Sequence, residues 1–283
     1  MLTKEEHQQL QDRFNEIVEA NDSLVSDVAR AENGAVTCTQ VDELDRISSA
    51  FEELKCDLRK LTTPDLTEVR SLMGKNFIGP KAYKTLFGVE VEDIPYLPEG
   101  LTLELLNSSC PFDSSKTTKE THLLVFIPAA LDGQSFTIND LVERANEYCQ
   151  ERQRQRRTAV CSDAVTRLKG WPLADEASPE GLWALIAKET LPGSTSRSDA
   201  QQIKELGKYP NYATATAREL VTGVLLKYLL NNERLCSTNA VRCEDRPAAG
   251  HRVVVGFRSD GLDVRSCGDK FNSSYHGRAV KTV

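Results

Sequence analysis

Two runs of apolar residues, spaced alternately by four and three positions, occupy the first 62 residues, and no later segment keeps that period. Leu10, Phe14, Ile17, Asn21, Leu24 and Val28 form the first run; Leu44, Ile47, Phe51, Leu54, Leu58 and Leu61 form the second. This is the a/d seam of a coiled coil written twice, with charged residues on the remaining faces. Asn33-Gly34 interrupts the pattern, so the spacing predicts helices over 6–30 and 40–61 joined as a hairpin. Asn21 is the polar member of the seam, and a polar residue there sets register or partner number while lowering stability. The runs either pack on each other or seat against further copies, so a homo-oligomer through residues 1–62 stands beside an intramolecular hairpin.

Beyond residue 62 the pattern becomes mixed α/β. Thr63-Pro64-Asp65 opens a linker helix over 63–75, with proline at its first position. Pro80–Phe87 is a short helix stopped by Gly88, and 89–100 is extended and proline-containing. Leu101–Leu106 is helical, Thr121–Ile127 is a buried strand, and Asp132-Gly133 is a hairpin turn. An amphipathic helix covers 139–156, and Leu182–Lys188 is a core strand. Thr216 and Glu219 form a capping box that opens the most hydrophobic helix, 217–230, and Asn231-Asn232 ends it. Val253–Phe257 reads as the final core strand. The domain reading is a helical hairpin (1–62), a linker helix (63–75) and an α+β domain (76–283).

Composition narrows the function classes. A formal charge of −7 disfavours a nucleic-acid backbone binder and a membrane-surface role. The basic run Arg152, Arg154, Arg156 and Arg157 has no interleaved aromatics and reads as a solvated helix end. The N-terminus shows no signal peptide, no window is apolar enough to span a membrane, and the default compartment is cytoplasmic. The eight cysteines are scattered without metal-ligand spacing, which reads as reduced thiols. No nucleophile elbow, phosphate loop or dinucleotide fingerprint is present. His122 has no partner base or nucleophile in view and reads as structural; Trp171 and Trp183 read as core. Asp260, Asp263 and Asp269 do not fit a calcium loop. The expectation is a protein that is not an enzyme, with no catalytic residue, metal or cofactor.

One stretch stands apart. After Val253–Phe257, the turn Ser259-Asp260-Gly261 and Leu262-Asp263-Val264, residues 265–276 contain no aliphatic side chain. Arg265, Ser266, Cys267, Gly268, Asp269, Phe271, Asn272, Ser273, Ser274, Tyr275 and His276 form the candidate ligand-binding set. Aromatic groups supply contact area with few rotatable bonds, and Ser and Asn supply adaptable hydrogen bonds.

The globular part also resembles a group of bacterial proteins, through Asn76-Phe77-Ile78-Gly79-Pro80, Leu106-Asn107-Ser108-Ser109-Cys110-Pro111-Phe112, Glu120-Thr121-His122-Leu123-Leu124-Val125, Leu191-Pro192-Gly193-Ser194, Asn232-Glu233-Arg234-Leu235, and Val253–Phe257 followed by Gly261-Leu262-Asp263-Val264. It looks like the variable target protein of a diversity-generating retroelement. The resemblance implies a C-type-lectin-like fold of the formylglycine-generating-enzyme type. It also implies a diversified recognition surface at about 265–276 that binds an unknown protein or surface ligand. Randomising the first two bases of an AAC codon reaches every residue type in 265–276 except Lys270. The competing reading is a structural or assembly protein that works through its N-terminal coiled coil and carries a plain surface tail.

Overall fold

The computed structural model describes residues 4–30, 38–62, 64–98, 100–152, 158–270, 276–278 and 280–282. It divides into two units. The first comprises residues 1–65 with Tyr96–Thr102; the second comprises Leu66–Pro95 with Leu103–Val283.

In the first unit, α1 (Lys4–Arg30) packs along α2 (Cys38–Thr62). At 1.5 Å per residue each helix is about 40 Å long, whereas seven connecting residues reach at most about 25 Å. The two helices therefore run antiparallel. Arg13, early in α1, accordingly pairs with Asp57, late in α2, and lies 3.9 Å from Glu53. The turn expected at Asn33-Gly34 lies outside the described residues.

The packed seam differs from the one expected. Leu24 and Leu54 are buried, and Leu10, Ile17 and Ile47 are half-buried. Phe14, Leu44 and Phe51, however, keep 45%, 47% and 48% of their surface. Asn21 is exposed and is not on the seam. Arg13, Ala20 and Ala50 turn inward instead. Small alanines let two helices approach closely, and Arg13 turned inward finds a carboxylate across the seam. Tyr96–Thr102 groups with the hairpin and not with the α+β part, and its Leu97 and Leu101 are buried.

The second unit is mixed α+β. It opens with α3 (Leu66–Met73), β1 (Phe77–Ile78), α4 (Lys81–Phe87), α5 (Leu103–Asn107), β2 (Ser109–Cys110) and β3 (Asp113–Thr117). Next come α6 (Thr118–Thr121), β4 (His122–Ile127), β5 (Ala130–Leu131), β6 (Gln134–Ser135), α7 (Ile138–Glu151) and α8 (Ser162–Lys169). Then follow β7 (Leu182–Ala187), α9 (Asp199–Leu206), β8 (Tyr212–Thr214), α10 (Ala217–Asn231), β9 (Ala240–Arg242), β10 (His251–Arg258), β11 (Gly261–Gly268), β12 (His276–Arg278) and β13 (Val280–Thr282). α3 buries Val69 and Met73 and packs on β1 and α6, so it belongs to this unit. Local chemistry sets the helix ends. Capping boxes open α6, α7, α9 and α10. Gly88 and Asn232, both left-handed, end α4 and α10. Asp132 and Gly133, both at positive φ, turn β5 into β6.

One sheet has the order β1-β4-β7-β13-β8 and another β11-β10-β9-β12; β2-β3 and β5-β6 are two-stranded. β4 is buried at all six positions. α10 packs on β4 and β7 of the first sheet and on β10 of the second, so it is buried nearly all round. Gly223 permits the approach: a Cβ there would lie 3.1 Å from Leu123 and 3.4 Å from Ile186. Lys227 on the same helix has no exposed side-chain surface. Its Nζ donates to the Lys75 carbonyl at 2.7 Å and to Asn76 Oδ1 at 3.1 Å, and pairs with Glu233 at 3.3 Å. The charge is tolerable because those partners replace its water.

Val253–Phe257 is not the last core strand. It lies in β10, after which β11, β12 and β13 still follow. The amphipathic helix expected to reach 156 is described to Glu151, with the Arg152 guanidinium 4.6 Å above the Tyr148 ring. Residues 153–157 of the basic run lie outside the described residues. Trp183 is buried, and Trp171 is half-buried.

His122 is fully buried at the head of β4. Its Nδ1 lies 2.9 Å from Thr121 Oγ1 and its Nε2 lies 3.2 Å from Tyr212 Oη, with Phe112 stacked on the ring. Burial pushes its pKa down from 6.5 to about 4, opposed by a hydrogen bond to the Thr118 backbone and aided by the charge of Lys188. The unfolded chain therefore takes up a proton on this group at a higher pH than the folded one. Its contribution is full above pH 6.5 and is lost as the pH falls towards 4, a loss of about 3 kcal/mol. Urea denaturation over that range will show a steeper loss for the wild type than for His122→Gln. Parallel profiles would mean that the imidazole protonates in the folded state as it does in water.

Candidate ligand-binding face

β10 and β11 pair antiparallel without interruption, from Arg258 opposite Gly261 to His251 opposite Gly268. Up to Val264 this ribbon is core: Val253, Val254, Val255, Leu262 and Val264 are fully buried. Past Val264 it emerges. Arg265 is half-buried, Ser266 exposed, Gly268 and Asp269 half-buried, and Lys270 exposed. Phe271, Asn272, Ser273, Ser274 and Tyr275 lie outside the described residues. His276 opens β12, where its register partner is Ala240.

Cys267 corrects the expected contact set, because it is buried with 8% of its surface left. Strand alternation puts it on the opposite side from exposed Ser266, where Arg242 Nη2 lies 3.6 Å from its sulfur. Arg265 and Asp269 are tethered rather than free. Asp263, buried in β11, gathers Arg167 at 3.0 Å, Arg265 at 3.7 Å and Arg258 at 3.8 Å. Asp269 donates its N–H to the Gly250 carbonyl at 2.8 Å and accepts the Asp199 N–H at 2.9 Å. Its carboxylate accepts from Arg246 at 2.6 Å and holds that guanidinium above its ordinary pKa.

Beneath the emerging strand lies a support that the sequence did not reveal. Asp199, at the start of α9, is buried and accepts from Arg252 Nε at 3.1 Å and Arg246 Nη2 at 3.3 Å. Arg242 is fully buried and donates to the Arg197 carbonyl at 3.0 Å. Arg197 in turn pairs with Glu205 at 2.9 Å. Lys208 and then Arg197 hold the Glu205 carboxyl below its usual range. The one local signal was the Ser198–Gln201 capping box that opens α9. Ion pairs between residues about 45 to 55 positions apart leave no periodicity in one chain.

The chain beyond residue 275 is also secured. β12 pairs parallel with β9, and after one residue β13 enters the other sheet between β7 and β8. Residues 270–275 are thus bounded by strands paired at both ends. Gly277, in β12, sits where a Cβ would fall 2.6 Å from the Thr190 side chain and 3.3 Å from Ser194 Oγ.

Other concavities lie elsewhere in this unit. A cavity of about 300 Å³ is lined by Leu66, Arg70, Phe77, Lys81, Thr85 and Leu230, among others. A cleft of about 480 Å³ includes Glu90, Glu92, Asp93, Asp132 and Glu180. Among the described residues, no group of three or more His, Cys, Asp or Glu is placed to hold a metal ion. Also among these residues, no helix is long and apolar enough to cross a membrane. No known family, curated protein or solved structure matches the chain.

Gly277→Ala is expected to destabilise the second unit by about 1–3 kcal/mol, through overpacking against Thr190. Adding Thr190→Gly to the same chain should restore part of the loss. Thermal melts of the two variants check this, and an unchanged midpoint for Gly277→Ala would show that β12 has room at that position.

Proposed function

We propose that this chain is a ligand-binding protein whose recognition surface is the polar stretch between β11 and β12. We further propose that the second unit is a C-type-lectin-like domain of the kind diversified by retroelements. The observation that carries the reading is the division between support and surface. Backbone pairing and the Asp199–Arg246–Asp269 network fix Asp269 on one side, and β12 with β13 fixes the other. Side chains between those anchors need supply no core, so exchanging them should alter stability by no more than about 0.5 kcal/mol each. The contact set on this reading is Ser266, Gly268 and Phe271–His276, with Arg265 and Asp269 at the margin and Cys267 in the support. The ligand is a protein or other surface ligand, and binding involves no catalytic step. A second reading, an assembly protein acting through residues 1–62, draws on the apolar side chains left exposed along α1 and α2.

Two measurements test the proposal. In the source genome, a reverse transcriptase gene should lie beside a near-repeat of the codons for 265–283, differing at adenines. A complete genome without that pair would remove the diversification claim. In a displayed library randomised at 266 and 271–275, most members should melt close to the wild type. A library in which most members unfold would place these residues in the core and end the binding-face reading.

A further inference from the structure

The hairpin carries an apolar surface that its own packing does not use. On α1, Phe14, Val18 and Val25 are exposed, with exposed Asn21 among them; on α2, Val41, Leu44 and Phe51 are exposed, with Ser48 among them. At about 100° per residue, each set falls within an arc of about 80° or less. In both helices this arc is rotated from the buried row (Leu10, Ile17 and Leu24; Ile47 and Leu54) in the same sense about the chain direction. Reversing one helix reverses that sense as seen from one end. An antiparallel pair therefore brings both rows to the same side, flanking the groove between α1 and α2.

The charge distribution says what could occupy that groove. Residues 1–62 contain 14 acidic and 7 basic residues, a formal charge of −7, while residues 63–283 contain 28 of each. The whole net charge of the chain thus sits on the hairpin. Asp22 on α1 and Asp45 and Glu52 on α2 fall at the outer edges of the two rows. A second copy would set one such charge against another at close range, which opposes self-association. A helix with an apolar face and cationic flanks would satisfy both features at once.

We propose that this face of the hairpin receives a basic amphipathic helix from a partner protein, a docking role that does not depend on the ligand-binding face in the second unit. The third helix lies in the groove between α1 and α2, its apolar side on Phe14, Val18, Leu44 and Phe51 and its cations over Asp22, Asp45 and Glu52.

The test uses the full chain and two labelled synthetic peptides of about 20 residues, long enough to be helical. Both carry the same leucine face; one has lysine at every polar position and the other glutamate. Fluorescence anisotropy should show binding of the lysine peptide alone, weakening at least about tenfold between about 0.05 and 0.5 M salt. Phe14→Ser with Phe51→Ser should weaken it by about tenfold or more while the chain stays folded, since nearly half of each side chain is exposed. Asp45→Lys with Glu52→Lys should weaken it while leaving the apolar rows intact. Equal binding of the two peptides, binding of neither, or indifference to all four substitutions overturns the proposal. So does a concentration-dependent dimer in sedimentation equilibrium that Phe14→Ser and Phe51→Ser abolish, because a second copy would then be the occupant.

Discussion

Helix α10 is enclosed on nearly every side, and the second unit is arranged around that fact. Only Asn231, its last residue, is exposed. A helix apolar all round must be covered all round, and here β4 and β7 cover one side while β10 covers another. Gly223 brings the helix backbone down onto Leu123 and Ile186, where a larger residue would hold the sheet away. Tyr228 stacks obliquely on Phe257 of β10, with ring centroids 5.1 Å apart. The buried ammonium of Lys227 is held by a carbonyl, an amide oxygen and a carboxylate. Removing those acceptors would leave a buried ammonium without partners, which is among the most destabilising changes a core can suffer.

From that core the β10–β11 ribbon projects, and its composition changes where it leaves. Valines and leucines give way after Val264 to Arg265, Ser266 and the polar residues beyond. An emerging ribbon needs some other means to hold its direction, and ion pairs supply it. Asp263 collects three arginines; Asp199 collects Arg246 and Arg252, and Arg246 passes the connection on to Asp269. Such pairs fix direction better than they add stability, because desolvating them offsets much of their attraction.

The hairpin shows how far a heptad pattern can be trusted. Its period correctly indicated two helices, now seen as Lys4–Arg30 and Cys38–Thr62. It did not indicate which neighbours of the seam turn inward. Phe14 and Arg13 are adjacent and both lie near the contact line, yet the arginine is the one that turns inward, because Asp57 is opposite. Asn21 was placed on the seam by spacing alone and is exposed. An apolar arc wider than one contact stripe can be shared among several partners, and spacing cannot apportion it.

Several structural decisions that were local could be read from the residues themselves. The capping box at Thr216–Glu219, the stops at Gly88 and Asn232, the Asp132-Gly133 turn and the apolar run Leu123–Ile127 were legible because each depends on neighbours a few positions apart. That the chain leaves the core after Val264 was partly legible from the lack of aliphatic residues beyond it. Three things were decided only by the folded chain: that Cys267 turns inward towards Arg242, that Asp199 braces Asp269, and that the last strand crosses into the other sheet between β7 and β8. Each joins residues tens of positions apart by hydrogen bonds or ion pairs. Such contacts impose no period and no composition on the sequence, so they exist only once burial has brought the segments together.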